Sequence, residues 1–148
     1  MLGAPINLLL ADDDFDDCDL FKEALSELSI ATSIMVVNDG EQLMRLLSEL
    51  PGKLPDVLFL DLNFPKKAGF DCLAAIKRDE QLKSLFVVIF STSVDERFAE
   101  DLYHHGAHYY ICKPSEFSIL KKQILQILRI IESGNLERPA IDQFILRQ

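Results

Sequence analysis

Five short runs of consecutive apolar residues alternate with amphipathic segments along the chain, and this alternation restricts the fold more than any other feature. The apolar runs predict strands at Ile6–Ala11, Ser33–Val37, Val57–Leu60, Phe86–Phe90 and His108–Cys112. The periodic segments predict helices over Asp16 to about Leu28, Glu41–Leu50, Gly69 to about Arg78, Asp95–His105 and Glu116–Glu132. Strands without polar alternation are buried on both faces, and strict β–α alternation gives a parallel sheet covered by helices on both sides.

Right-handed crossovers leave few arrangements for five such units. The common solution is a flavodoxin-like, doubly wound α/β fold with a five-stranded parallel sheet in the order 2-1-3-4-5. We therefore predict this fold, with helices on both faces and a ligand site at the carboxyl ends of the strands, where strands 1 and 3 are neighbours.

Length and charge exclude several classes of protein. A chain of 148 residues is enough for one domain, and its net charge of −9 disfavours binding to the phosphate backbone of nucleic acids or to an anionic membrane surface. Three cysteines without zinc spacing are typical of a reducing compartment. The chain has no signal-peptide pattern and no apolar run of membrane-spanning length, so we expect a cytoplasmic protein.

Polar residues follow four of the five predicted strands. Asp12, Asp13 and Asp14 follow the first strand, Asp61 follows the third, Ser91-Thr92-Ser93 follow the fourth and Lys113 follows the fifth. Carboxylates from strands 1 and 3 meet in one pocket in this sheet order, and bare anions at such distances require large pKa shifts or a cation. Mg²⁺ takes oxygen ligands from one or two carboxylates and favours a phosphate ligand. A carboxylate next to Mg²⁺ acts as a nucleophile toward phosphorus, so this set predicts a phosphoryl-accepting site centred on Asp61.

Each of these residues also has a purely structural interpretation. Asp residues after a strand commonly cap a helix or lie in its first turn, and we assign Asp14, Asp16 and Asp17 to that role. For Asp12 and Asp13 capping stays open as an equal alternative, and Ser-Thr-Ser or Lys-Pro alone would indicate turns. The conjunction of acid pair, acid, hydroxyl and lysine at four ends of one sheet favours the phosphoryl site.

These residues resemble the receiver domain of two-component response regulators. The motifs that carry the resemblance are LLLADDDFDD, VLFLDLNFPKKAGFD, VVIFSTS and HYYICKP, within a match from about Asn7 to Ser133. The resemblance implies that Asp61 is the phosphoacceptor and that Asp13 and Asp61 bind Mg²⁺ directly, with Asp12 acting mainly through water. It implies that the backbone carbonyl of Asn63 is a further ligand.

The resemblance also implies roles at the other strand ends. Ser91 would be the switch hydroxyl, Lys113 would pair with a phosphoryl oxygen, and Tyr110 would change rotamer together with Ser91. The Lys113–Pro114 bond would be cis. Asn63 and Ser93 would flank the line of attack and tune the lifetime of the phosphorylated state.

The function implied is that of a stand-alone response regulator, which is not an enzyme beyond its own phosphorylation and dephosphorylation. A histidine kinase or a phosphotransfer protein would donate the phosphoryl group, and the output would be a protein–protein contact through helix 4, strand 5 and helix 5. Apolar residues on that surface could form a patch that binds a partner or a second copy (a homodimer), or they could be ordinary scattered exposed residues, and both alternatives stay open. We divide the chain into a receiver domain over 1–133 and a short tail over 134–148 without a separate output domain. The tail could fray, pack back on the domain or dock a partner.

Two other functions are weighed against this one. A receiver-like scaffold that works without phosphorylation would use the same fold. A phosphatase of the haloacid dehalogenase type also uses a strand-end Asp nucleophile, but it carries a second acid two residues on, where this chain has Asn63.

Overall fold

Six parallel strands form one sheet in the computed structural model, which describes residues 4–50, 53–62, 69–92 and 96–146. The strands are β1 (Ile6–Ala11), β2 (Thr32–Val37), β3 (Val57–Leu60), β4 (Val87–Ser91), β5 (Tyr109–Cys112) and β6 (Ile145–Leu146). Their order is β2-β1-β3-β4-β5-β6. The predicted order of the first five strands is confirmed, and the sheet has one strand more than predicted.

Five α-helices cover the two faces of this sheet. They are α1 (Phe15–Ser26), α2 (Gly40–Glu49), α3 (Gly69–Arg78), α4 (Glu96–His104) and α5 (Phe117–Ser133). Helices α1 and α5 share one hydrophobic core with the sheet, and α2, α3 and α4 share the other. The central strands β3 and β4 are buried along their whole length, as continuous apolar runs predict.

The strand register brings the functional ends to one edge of the sheet. Ala11 of β1 pairs with Leu60 of β3, and Ser91 of β4 pairs with Cys112 of β5. Parallel strands place their carboxyl ends side by side. The residues that follow β1, β3, β4 and β5 therefore surround one site, as the sequence predicts.

Helix α1 begins with a side-chain cap. The Asp14 carboxylate accepts a hydrogen bond from the Asp17 backbone N–H at 3.0 Å, which satisfies a donor that has no partner within the helix. The predicted capping role of Asp14 is confirmed.

The described part of the tail packs back on the domain, which is one of the three alternatives left open by the sequence. Phe144 is 1% exposed and packs against the rings of Tyr103 and Tyr110, with centroids 5.3 and 6.2 Å apart. The Phe144 carbonyl accepts the Tyr110 backbone N–H at 3.0 Å, and the Tyr103 hydroxyl donates to the Pro139 carbonyl at 2.7 Å. Strand β6 exists because β5 offers an unpaired edge to this anchored segment.

Within the part of the chain described, none of the helices is both long enough and apolar enough to span a lipid bilayer.

Candidate functional site

Asp12 lies at the centre of the site and is held from several sides. Its side chain is fully buried; one carboxylate oxygen accepts the Asp14 backbone N–H at 3.0 Å, and the other accepts the Lys113 ammonium at 2.8 Å. Its backbone carbonyl accepts the Asn38 side-chain amide at 3.0 Å. Because both carboxylate oxygens have partners, the orientation of this side chain is fixed.

Three carboxylates lie close together at the carboxyl ends of β1 and β3. Oxygen atoms of Asp12, Asp13 and Asp61 all lie within 4.8 Å of one another, with Asp12 and Asp61 buried and Asp13 exposed. Lys113 pairs with Asp12 and Asp61 of this group, so three carboxylates and one ammonium leave an excess of negative charge. All the donor atoms are oxygens, which suits a hard divalent cation such as Mg²⁺. The described residues therefore fit the predicted metal set, while the predicted fourth ligand, Asn63, lies outside them.

The electrostatics at Asp12 reflect this crowding. Burial raises the pKa of the Asp12 carboxyl to about 6, the hydrogen bond from Lys113 acts in the opposite direction, and the negative charge of Asp61 adds to the rise. A cation held by the three carboxylates would offset both the burial and the repulsion.

Lys113 reaches the carboxylates from the end of β5. Its ammonium lies 2.8 Å from Asp12, 2.9 Å from Asp17 and 3.4 Å from Asp61, and its side chain is 9% exposed. Burial alone would disfavour the charged ammonium, but the hydrogen bonds to Asp12 and Asp17 outweigh it, so the pKa of Lys113 lies above its usual range. The lysine therefore carries its positive charge at neutral pH, beside the predicted phosphoacceptor.

Asp17 is a member of this site that the sequence pattern assigned to the first turn of a helix. It does lie in the first turn of α1, but its carboxylate also pairs with Lys113, which is 96 residues further along the chain. In the sequence, the signal for this role is the spacing between Asp17 and the apolar residue Phe21. Residues four apart share one face of a helix, so Asp17 lies on the same face as a residue expected in the core.

Gly69 packs against the backbone of the predicted phosphoacceptor. A Cβ atom at this position would lie 2.4 Å from the Asp61 carbonyl oxygen and 2.7 Å from the Leu62 Cα. Only a residue without a side chain allows α3 to begin so close to the end of β3.

Ser91 and Tyr110 lie on neighbouring strands: Ser91 is the last residue of β4, and Tyr110 lies two residues before the end of β5. Both are buried, with 2% and 1% of their surface exposed, and the Ser91 carbonyl accepts the Lys113 backbone N–H at 2.7 Å. The tyrosine ring faces the core between the sheet and α2 to α4, against Phe144 of the tail. Ser93, predicted to tune the lifetime, lies outside the described residues.

The Lys113–Pro114 bond differs from the expectation. No peptide bond within the described ranges is cis, so this bond is trans, and the cis assignment implied by the resemblance is wrong for this structure. The physical reason is that an Xaa-Pro bond prefers trans by about 0.5–1 kcal/mol unless tertiary contacts favour the other isomer.

Comparisons with known proteins place this geometry in a family. A family model described as the response regulator receiver domain matches residues 8–125. The response regulator Rcp1 of Synechocystis is 31% identical over 137 residues, which cover 90% of this chain and 90% of Rcp1.

Two solved structures have the same fold. The phosphorylated cyanobacterial phytochrome response regulator RcpA superposes with a TM-score of 0.80 at 32% identity, covering 88% of this chain and 96% of RcpA. The Mn²⁺-bound form of Rcp1 superposes with a TM-score of 0.76 at 29% identity, covering 92% of this chain and all of that one. The chain belongs to the response regulator receiver domain family of two-component signalling proteins.

Proposed function

We propose that this chain is a stand-alone response regulator that accepts a phosphoryl group on Asp61 with Mg²⁺. One observation carries the proposal: the oxygens of Asp12, Asp13 and Asp61 lie within 4.8 Å of one another, with the Lys113 ammonium 3.4 Å from Asp61. A nucleophilic carboxylate, a cation-binding acid pair and a fixed ammonium are the groups that phosphoryl transfer to an aspartate requires.

The transfer step follows from these positions. An Asp61 oxygen attacks the phosphorus of a phosphohistidine on a kinase or phosphotransfer protein, a new P–O bond forms, and the P–N bond breaks with its electron pair remaining on the imidazole. Lys113 donates a hydrogen bond to a phosphoryl oxygen, and the Ser91 hydroxyl donates to another. A Mg²⁺ ion bound by Asp12, Asp13 and Asp61, with the Asn63 carbonyl, would neutralise part of the developing charge. Water later hydrolyses the aspartyl phosphate, at a rate that Asn63 and Ser93 tune.

The output follows from the charge that phosphorylation adds. The phosphoryl group attracts Ser91, and Tyr110 follows it, which shifts the surface of α4, β5 and α5 between two states. In this chain β6 already pairs with the edge of β5, and Phe144 contacts Tyr110. A downstream protein or a second copy therefore meets a surface that includes the tail. We place this exchange in the cytoplasm, with a histidine kinase or phosphotransfer protein as donor.

A titration with beryllofluoride tests the proposal, because this anion forms a non-covalent mimic of an aspartyl phosphate. We expect one beryllofluoride to bind per chain with MgCl₂, and no binding without the metal or in Asp61→Asn. Unchanged binding in Asp61→Asn, or none to the wild type, would refute the phosphoacceptor assignment in favour of the phosphorylation-independent scaffold. Repeated turnover of small phosphate esters would instead favour the phosphatase.

A further inference from the structure

The ammonium of Lys113 has all three of its N–H donors directed at carboxylates. Its partners are Asp12 at 2.8 Å, Asp17 at 2.9 Å and Asp61 at 3.4 Å, so the predicted phosphoacceptor has the longest contact. An ammonium offers three donors and no more. A phosphoryl oxygen on Asp61 can therefore bind this lysine only if one of the present contacts opens.

The fold directs Asp17 at the lysine. Asp17 lies one turn before Phe21, which is fully buried and packs on the Phe90 ring at 5.7 Å. The Lys113 ammonium lies 5.2 Å from the centroid of the same Phe90 ring. Because residues four apart lie on one face of a helix, the packing of Phe21 places the Asp17 carboxylate beside Lys113.

The two shortest contacts of Lys113, to Asp12 and to Asp17, differ in how readily they open. Asp12 has no exposed side-chain surface, and its second oxygen is held by the Asp14 backbone N–H. The Asp17 side chain is 32% exposed, so water can replace the ammonium at its carboxylate when the pair opens. Asp17 is therefore the partner whose contact opens at the lower cost.

We propose that Asp17 is a positioning residue for the phosphoryl site: its carboxylate holds Lys113 toward α1 in the unphosphorylated state and competes with the phosphoryl group for that lysine. This inference rests on the proposed function of Asp61 as the phosphoacceptor. It assigns to the first turn of α1 a role in setting how tightly the site holds the phosphoryl group.

The test compares two substitutions that remove the same charge from adjacent positions. Asp17→Asn removes the competitor, whereas Asp16→Asn removes a carboxylate from an exposed residue of the same turn. Asp16 lies four residues before Leu20, which is 45% exposed, so this side of the helix faces away from Lys113. The affinity for beryllofluoride at saturating MgCl₂ is measured for each variant by fluorine NMR.

We expect Asp17→Asn to bind beryllofluoride about three- to tenfold more tightly than the wild type, the effect of freeing a part-buried, charge-assisted hydrogen-bond donor. Asp16→Asn should differ from the wild type by less than about twofold, because exposed charges are screened. Asp17→Glu keeps a carboxylate beside Lys113 and should bind as the wild type does. A change in stability alone would not reproduce this order of affinities.

Either of two results would overturn the inference. Equal affinities for Asp17→Asn and Asp16→Asn would mean that the direct contact has no effect. Weaker binding by Asp17→Asn would mean that Asp17 supports Lys113 rather than competing for it. Absence of beryllofluoride binding in the wild type would refute the proposed function itself, so the two failures are distinguishable.

Discussion

Substitution of Phe144 tests whether the tail is part of the folded domain. Phe144 is 1% exposed, contacts the rings of Tyr103 and Tyr110, and is followed directly by β6. Removing a buried Phe side chain costs about 3–5 kcal/mol. The tail contributes only the outermost strand, β6, to the sheet. We therefore expect Phe144→Ala to detach the tail from the domain while the five-stranded sheet stays folded.

Hydrogen exchange measures this detachment at a single amide. The Tyr110 N–H donates to the Phe144 carbonyl at 3.0 Å, whereas the His108 N–H donates to Val87 of β4 at 2.8 Å. A loss of 3 kcal/mol corresponds to about a hundredfold change in an equilibrium, so the Tyr110 amide should exchange about a hundredfold faster in Phe144→Ala. The His108 amide should keep its protection.

The matched control is Leu136→Ala in the same tail, because Leu136 is 47% exposed. Substitutions at such surface positions change stability by about 0.5 kcal/mol or less, so exchange at Tyr110 should change little. Unchanged protection of Tyr110 in Phe144→Ala would refute the reasoning that Phe144 anchors the tail. Equal acceleration at Tyr110 and His108 would refute the reasoning that the tail detaches by itself.

Two further predictions concern Gly69 and His108. Gly69→Ala places a Cβ 2.4 Å from the Asp61 carbonyl oxygen, so we expect about 1–3 kcal/mol of destabilisation in urea together with weaker beryllofluoride binding; wild-type values of both would contradict the close packing. Burial, with the nearby charges of Lys77 and Arg138, lowers the pKa of His108 from 6.5 to about 4. The unfolded chain therefore binds more protons between these values, and this histidine should reduce the free energy of unfolding by about 3 kcal/mol as the pH falls from 6.5 to 4. Urea titrations across this pH range measure the free energy of unfolding, which should fall less steeply with pH in His108→Gln than in the wild type. The same pH dependence in both proteins would contradict the burial of a neutral imidazole.

The sequence pattern predicts correctly those elements that are determined by neighbouring residues in the chain. Val57–Leu60 is a strand with the predicted bounds because a fully apolar run ends at a charged residue there. The meeting of Asp12, Asp13 and Asp61 followed from topology, since neighbouring parallel strands end at one edge. These predictions needed only periodicity, chain direction and sheet order.

The features that the sequence did not predict depend on contacts between distant segments. Ile145–Leu146 is too short to have strand periodicity, and it is extended only because β5 and the Phe144 contacts hold it. The Asp17 contact with Lys113 spans 96 residues, and the local pattern around Asp17 is that of an ordinary first helical turn. The wrong assignment at Pro114 came from the family resemblance, since nothing in the local sequence specifies the isomer.

The central claim is that Asp61 is the phosphoacceptor, and covalent phosphorylation tests it most directly. The protein is incubated with acetyl phosphate and MgCl₂, its intact mass is measured, and the acyl phosphate is mapped after borohydride reduction. The account predicts one labile phosphoryl group per chain, located on Asp61, dependent on Mg²⁺ and absent from Asp61→Asn. A phosphoryl group on any other residue, or an unmodified wild-type chain under these conditions, would contradict it.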